Sequence, residues 1–497
     1  MSARPSRRSL LIAAALATVS APLAAGTARA AARTPKVLVI GLDGALLDRI
    51  RDADAPHLDD LMASGLTAAS SIYSDPLAPT LSGPGWSTII TGAWPDKHLV
   101  KDNAFTGNDF TRYPDFLTRI ETAKPALSTY AVASWAPITT TIFSSKVDTR
   151  ISTPSAEYDT GTTSRAVAEL GSGNRDALFV HLDNIDHAGH SDGAASSQYL
   201  AAIHDADAQV GRIVAAVKAR PTYASEDWLI MVTADHGHTD AGGHGGNSAP
   251  ERQTFLIATG GGITAGSTRH DIKMPDVAAS ALAHLGIPID TSWNLDGRPL
   301  QQPAPDAFDA LRPQLTARVD ETGIGAAVLG FTHTPPAGWN VVNTAMGTGG
   351  VTEWRGWSFT TDEFWTASER GQGRENNVRA RNVFAVADGD EWADKSYSGT
   401  FDSTLVTPAW PVKGGSTAVL RYTTYYRQEA PQKGEVLVAY DDGTPVPVKS
   451  YTSDTSSRTE NITLQVPQGA TTARVRFRYT GGNNWFWTVD AVSLTAS

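Results

Sequence analysis

The chain has 497 residues, with 41 Lys and Arg against 52 Asp and Glu, a formal net charge of -11 and no cysteine. The acidic balance excludes nucleic-acid binding by general electrostatics, and the missing thiols exclude disulfides and thiol chemistry. The length calls for two or three domains, each large enough to bury a core.

The N-terminus, Met1 to Ala30, reads as a signal peptide of the twin-arginine type. Ser6-Arg7-Arg8-Ser9-Leu10 is followed by an apolar stretch to Ala25 and by Ala28-Arg29-Ala30, the order of a charged start, an apolar centre and a small-residue cleavage site. The expected location is secreted or extracytoplasmic. The apolar stretch is too short to span a bilayer comfortably and no other run could, so no membrane span is expected. Removing Arg4, Arg7, Arg8 and Arg29 takes the charge from -11 to -15.

Residues 34–318 read as one α/β domain, a mostly parallel sheet sandwiched by helices. Val37–Leu42, Ala177–Leu182 and Trp228–Val232 are short Val/Ile/Leu-rich runs bounded by Gly or Asp, as strands buried on both faces should be. Tyr199 to Lys218 places Leu200, Ile203, Val210, Ile213, Val214 and Val217 on one helical face. Just beyond the three runs stand Asp43, Asp186 and Asp235, and ligands in open α/β sheets collect outside the carboxyl ends of the strands.

The neighbours of those aspartates are Asp183, His187 and His190 in the second segment, and His236, His238 and His244 in the third. Carboxylate with imidazole is a ligand set that zinc and other first-row divalent metals accept. A lone Asp-His pair is more often a satisfied surface or core feature, but repetition at three strand ends is hard to dismiss. His187 and His238 are read as outer-sphere or surface residues. The nucleophile is sought in Pro79-Thr80-Leu81-Ser82-Gly83-Pro84-Gly85-Trp86. There, small residues let Ser82 present its hydroxyl at a helix start whose free N–H groups favour an anion; Thr80 is the fallback.

These motifs together resemble the alkaline phosphatase superfamily, and within it the type I phosphodiesterase/nucleotide pyrophosphatase family. The resemblance runs from Gly-Leu-Asp43-Gly through Pro79 to Asn103, Asp186-x-x-Gly-His190, Asp235-His236-Gly and Gly-His244-Gly. It closes on Pro275 to Ile287 and Leu295 to Leu300, which look like the family's final helix and strand. It implies two divalent ions, expected to be zinc, one held by Asp186, His190 and His244 and the other by Asp43, Asp235 and His236 with Ser82. It also implies that Asn103 holds a non-bridging phosphate oxygen. Two metal ions side by side stabilise both the attacking and the leaving oxygen of an in-line phosphoryl displacement. The expected function is therefore hydrolysis of phosphodiester or nucleotide pyrophosphate bonds in a small phosphate-ester substrate, through a phosphoserine intermediate.

Two alternatives remain at this level. A phosphomonoesterase would add Lys or Arg against a dianionic phosphate, and Ser145-Lys146-Val-Asp148-Thr-Arg150 is only a loose echo, better read as a charged surface strand. A carbohydrate-binding or non-catalytic protein would leave the metal residues without a task. Sulfatase chemistry is disfavoured, because the segment after Ser82 lacks the x-Pro-x-Arg pattern.

Residues 319–338 read as a linker, with Leu311 to Val319 containing a short helix and Thr332 to Gly338 rich in Pro. From 339 to 497 the period changes to strict alternation, as in Ala473, Val475, Phe477 and Tyr479, which marks half-buried antiparallel strands and a β-sandwich resembling jelly-roll modules. Trp354, Trp357, Trp365, Trp485 and Trp487 belong to its core for the most part, with a sugar-stacking platform, and hence an extracellular carbohydrate partner, as the alternative. Asp388, Asp390 and Asp394, with Asp490, form an expected calcium site, a solvated acidic turn being the competing reading.

Overall fold

A computed structural model describes residues 33–496; the signal-peptide reading of residues 1–30 lies outside them. The first domain is built on an eight-stranded sheet: β1 (Thr34–Leu42), β2 (Leu66–Ser71), β3 (Thr129–Ala133), β4 (Thr149–Ser152), β5 (Ala177–Leu182), β6 (Glu226–Thr233), β7 (Gln253–Gly260) and β8 (Ser267–Thr268), in the order β4-β3-β5-β1-β6-β7-β2-β8. The pairs from β4 to β6 are parallel, and β7 runs antiparallel to both β6 and β2. The three runs that precede the aspartates are thus three adjacent parallel strands, with β1 in the middle. Their side chains fill a core on each face of the sheet, and so they are apolar throughout rather than alternating.

The expected amphipathic helix forms as Ser197–Lys218, started by the Ser196 side chain accepting from the Tyr199 N–H. Its buried face carries Ile203, Val210, Ile213, Val214 and Val217, but also Asp207, whose carboxylate accepts from the N–H groups of His57 and Leu58. That carboxylate therefore caps the neighbouring Pro56–Ser64 helix from across the interface.

Two local expectations are corrected. Leu295 to Leu300 is a loop, not a strand: the Asp296 and Gly297 N–H groups donate to Gly92 O, the Arg298 N–H to Asp276 Oδ1 and the Leu300 N–H to Ser280 Oγ. Those partners lie on helix ends and side chains, so no ladder is needed, and Pro299 has no N–H to offer one. The expected helix within Leu311–Val319 is a 3₁₀ segment at Asp309–Gln314, with Pro313 inside it.

The second domain is a β-sandwich. One sheet orders Ser358–Thr360, Phe384–Asp388, Phe486–Ala496, Thr417–Tyr426 and Thr455–Gln465; the other carries Val446–Tyr451, Lys433–Tyr440, Thr472–Gly481, Phe401–Val406 and Asn340–Val342. Trp354, Trp357, Trp365, Trp392 and Trp487 are fully enclosed between the sheets, and Phe308, Leu311 and Leu315 join the same core from before residue 319. The tryptophans are thus core, and Trp485, half-buried, lies under the Arg427 guanidinium 3.3 Å from its ring.

The acidic turn also resolves internally. Arg374 is buried and reaches Asp388 at 3.0 Å, Asp390 at 3.0 Å and Glu391 at 2.9 Å, so the cation among these acids is the protein's own guanidinium. Asp388 also accepts from Trp365 Nε1 and caps a short helix. Asp394 lies at the edge of the turn, and Asp490, four residues along its strand from the partner of Asp388, accepts from the Arg381 N–H.

The two domains are joined by buried arginines. Arg381 clamps Asp276 with two bonds of 2.7 and 2.9 Å, and Arg379 clamps Asp296 at 2.8 and 3.2 Å. Arg252 meets Asp362 at 3.2 Å. Breaking a buried pair from one side leaves an uncompensated charge and costs about 3–5 kcal/mol. Arg381→Ala is therefore expected to lower stability by about that much in urea unfolding, with Arg381→Ala/Asp276→Asn recovering part of it; a loss indistinguishable from zero would show that the interface does not depend on this pair.

Candidate metal centre

Register brings the acids together. Leu42 faces Leu182 and Gly41 faces Thr233 across the ladder, so the chain leaves three neighbouring strands on the same edge. Asp43 follows β1 directly, Asp235 stands two residues past β6, and Asp186 lies in the helix Asn184–Asp192 that starts after β5. That helix also carries His190, one turn on from Asp186 and 3.5 Å from it, the spacing that puts i and i+4 on one face. Its start is fixed by Asp159, whose carboxylate accepts from the N–H groups of Asp183 and Asn184.

All of the candidate ligands converge. His236 Nε2 lies 3.5 Å from Asp43 Oδ1, 3.3 Å from Asp235 Oδ2 and 3.3 Å from Ser82 Oγ. His244 Nε2 lies 3.0 Å from His190 Nε2 and 3.5 Å from Asp186 Oδ1. The two sets touch, His236 and His244 stacking with ring centroids 3.7 Å apart. Ser82 is the first residue of the helix Ser82–Thr91 and is nearly buried.

The imidazoles are held in the tautomer a metal needs. His244 Nδ1 donates to Thr80 O at 2.6 Å and His236 Nδ1 to Gly237 O at 3.1 Å. A carbonyl only accepts, so the proton sits on Nδ1 and the Nε2 lone pair faces the cluster. Burial pushes both rings toward the neutral form, and the adjacent imidazoles add to it. Burial also drives Asp43 and Asp235 well above the usual carboxylate range, reinforced at Asp43 by the charges of Asp235 and Asp186 and at Asp235 by that of Asp186. Burial acts on Asp186 in the same direction, but the His238 hydrogen bond and the surrounding rings outweigh it and hold its carboxyl low.

Asp43 Oδ1, Asp235 Oδ2 and His238 Nδ1 are buried with no hydrogen-bond partner. Buried acceptors left unpaired are costly. Two unpaired carboxylate oxygens that both approach the free nitrogen of His236 fit a bound divalent cation, as do the groups Asp43, Asp235, His236 and Asp186, His236, His238, His244, whose ligand atoms lie within 4.8 Å of one another.

Glycine earns its places here by contact. A Cβ on Gly83 would meet Asn103 Oδ1 at 2.9 Å and one on Gly85 would meet Asp235 Cβ at 2.9 Å; on Gly189 it would strike His238 Cδ2 at 2.5 Å. The loop around His244 also runs through positive φ at Gly242, Gly243 and Gly245. Thr80 anchors this loop, accepting from the Gly245 N–H and donating to Gly246 O. Both capacities of its hydroxyl are occupied, which leaves Ser82 as the free alcohol. Asn103 Oδ1 accepts from the Gly83 N–H at 2.7 Å, tying its amide to the start of the Ser82 helix.

His187 is exposed. His238 is fully enclosed and 2.8 Å from Asp186 Oδ1, not a surface residue. Lys146 and Arg150 stand apart: Arg150 donates to Thr139 O and Phe143 O, where it closes a turn before β4.

The sequence reading missed His181 and Trp86. His181 Nε2 lies 2.9 Å from Asp43 Oδ2, and Trp86 Nε1 donates to the same oxygen at 2.8 Å. The signals were available: His181 is a polar residue inside an apolar strand, and Trp86 stands one helical turn after Ser82. A Cβ on Gly41 would meet the Trp86 ring at 2.3 Å, so the glycine before Asp43 is what admits the indole.

The first domain is similar to known proteins. A model of the type I phosphodiesterase / nucleotide pyrophosphatase family matches residues 37–284. Among curated proteins, the GPI ethanolamine phosphate transferase 2 of Eremothecium gossypii is 26% identical over 234 residues, covering 45% of this chain and 28% of that protein. The catalytic subunit of the Homo sapiens GPI ethanolamine phosphate transferase 2 is 25% identical over 269 residues, covering 50% of this chain and 26% of that protein. The chain thus spans little more than a quarter of these relatives' length. Among solved structures, murine ectonucleotide pyrophosphatase / phosphodiesterase 5 in complex with AMP aligns with a TM-score of 0.42 at 15% identity, over 51% of this chain and 96% of that one. Through residues 37–284, the chain belongs to the type I phosphodiesterase/nucleotide pyrophosphatase family.

Proposed function

We propose that the protein is a metal-dependent phosphodiesterase that works through a phosphoserine on Ser82. The observation that carries this reading is the placement of one free, nearly buried alcohol 3.3 Å from His236 Nε2, at a helix N-terminus and beside two orphaned carboxylate oxygens. Asp43, Asp235 and His236 with Ser82 would hold one divalent ion, and Asp186, His190 and His244 the other, His238 fixing Asp186. Bound there, zinc or a similar ion supplies Lewis acidity toward the phosphoryl oxygens and lowers the pKa of a coordinated hydroxyl or water.

The chain's own residues do the rest. Ser82 Oγ attacks phosphorus, its proton leaving to solvent, and the bond to the departing alcohol breaks in line. The N–H groups opening the Ser82–Thr91 helix favour the added negative charge. Asn103, held through Oδ1, presents its Nδ2 donors to a non-bridging oxygen. Water then cleaves the phosphoserine from the vacated side, giving net retention at phosphorus. Among the described residues no Lys or Arg side chain joins those gathered at Ser82, which supports a monoanionic diester over a dianionic monoester.

A second reading concerns the acceptor. The curated relatives are named as ethanolamine phosphate transferases, and a phosphoserine can pass its group to an alcohol as well as to water. The composition of residues 1–30 supports action after export, and no helix among the described residues is long and apolar enough to cross a membrane.

Ser82→Ala is expected to lower kcat/KM for bis-p-nitrophenyl phosphate by more than about 10³-fold, with metal content unchanged within one ion per chain; full activity in this variant would remove Ser82 as nucleophile. Thr80→Val should weaken zinc affinity or activity by about 10–100-fold through the freed His244 loop, measured by zinc titration alongside turnover. Chelation is expected to lower the melting temperature, because Asp43 and Asp235 lose the cations that balance them, and added zinc should restore it. A preference for p-nitrophenyl phosphate over the diester would move the assignment to a phosphomonoesterase, and phosphorylated glycerol in the product mixture would identify transfer.

A further inference from the structure

A cavity of about 370 Å³ lies between the two domains, at the opposite end of the helix whose first residue is Ser82. Ten helical residues separate the two places by about 15 Å, and the cavity begins at Trp94 and Lys97, just past that helix. Its lining includes six cationic side chains and one carboxylate, Asp296.

Three of those cations are already engaged. Lys97 bonds Asp296 at 2.7 Å, Arg379 bonds Asp296 and Asp96, and Arg381 bonds Asp276. Asp296 and Asp276 are thereby engaged; Asp276 and Asp490 also attract Arg298, and Asp490 is pushed by burial and by Asp306 well above the carboxylate range. Arg298 and Arg421 make no side-chain hydrogen bond or ion pair among the described residues, and Arg458 has only Ser456, at 3.3 and 3.4 Å. Arg298 comes from the first domain and the other two from the sandwich, where Arg421 and Asn461 are cross-strand partners, as are Thr423 and Thr459 on the same wall.

Three guanidinium groups to which no carboxylate hydrogen-bonds line one small polar space, and an anion between them would relieve their mutual repulsion. Each planar fork pairs with two oxygens of an oxyanion. The space is small, so the ligand must carry several negative charges on few atoms, a demand that linked phosphate groups meet. We propose that Arg298, Arg421 and Arg458, with Lys97 and Asn461 on the walls, form a second anion site that binds a compact polyanion of the pyrophosphate class and ties the two domains together. The site is separate from the metal centre, and the inference does not rest on the hydrolase reading.

The test is titration calorimetry of the full chain with inorganic pyrophosphate and with citrate, comparing the wild type with Arg421→Gln/Arg458→Gln. The expected result is micromolar pyrophosphate binding by the wild type, weakened tenfold or more in the variant and by added salt, with citrate at least tenfold weaker. Bis-p-nitrophenyl phosphate turnover and the ligand-free melting temperature should not fall in the variant, since removing crowded like charges relieves repulsion. Equal pyrophosphate binding by both proteins would overturn the proposal, because the ligand would then sit at the metal centre. A lower ligand-free melting temperature in the variant would overturn it in favour of a purely structural role, and equal citrate binding would overturn the phosphate class.

Discussion

Three carboxylates taken out of water at the end of one sheet are the constraint around which the first domain is arranged. Parallel pairing of β5, β1 and β6 places Asp43, Asp186 and Asp235 together, and burial then disfavours their charged forms. Such a cluster persists in a folded protein only if opposite charge and hydrogen-bond donors surround it. The donors visible among the described residues fall short of that requirement, since Asp43 Oδ1 and Asp235 Oδ2 stay unpaired while burial pushes His236 and His244 toward the neutral form. The shortfall is what divalent cations would make good.

The same requirement explains why so much of the surrounding sequence is small. Backbone must approach backbone closely for the ligand atoms to meet, and the glycines at 41, 83, 85 and 189 each stand where a Cβ would collide with a functional side chain. Trp86 illustrates the coupling of packing to chemistry. Its ring fills the space over Gly41 and its Nε1 fixes one oxygen of Asp43, leaving the other oxygen turned toward His236. His181, its ring edge-on to that of Trp86, lies 2.9 Å from the same oxygen. Thr80 does the corresponding work for His244, through both its backbone carbonyl and its hydroxyl.

Much of this was legible in the sequence, for physical reasons that differ from case to case. Strands buried on both faces write themselves as continuous apolar runs, so β1, β5 and β6 and the acids beyond them could be read directly. Alternation in the sandwich strands was equally plain, and the enclosed tryptophans followed from it. His181 and Trp86 each left a signal in the sequence, but their contact with Asp43 depends on which strands are neighbours and on a single glycine that admits a ring. Leu295 to Leu300 resembles the family's final strand but finds its hydrogen bonds on Gly92, Asp276 and Ser280. Local pattern cannot foresee partners supplied by distant helix ends. At the acidic turn the partner was equally distant from local pattern: Arg374, fourteen residues earlier in the chain, reaches Asp388.

Charge compensation is solved in two ways within one molecule. Around Asp388 and at the domain interface the chain supplies its own cations, and Arg374, Arg379 and Arg381 are buried with their partners. At the candidate metal centre no Arg or Lys side chain among the described residues approaches the acids, although arginine is readily buried elsewhere. A guanidinium at Asp43 or Asp235 would neutralise those oxygens permanently and obstruct the approach to Ser82. An exchangeable cation balances the same charge and still leaves coordination positions open to a phosphate. Keeping arginine out of this cluster would therefore be a condition of the proposed reactivity, and the unpaired carboxylate oxygens left in the metal-free chain would follow from that condition.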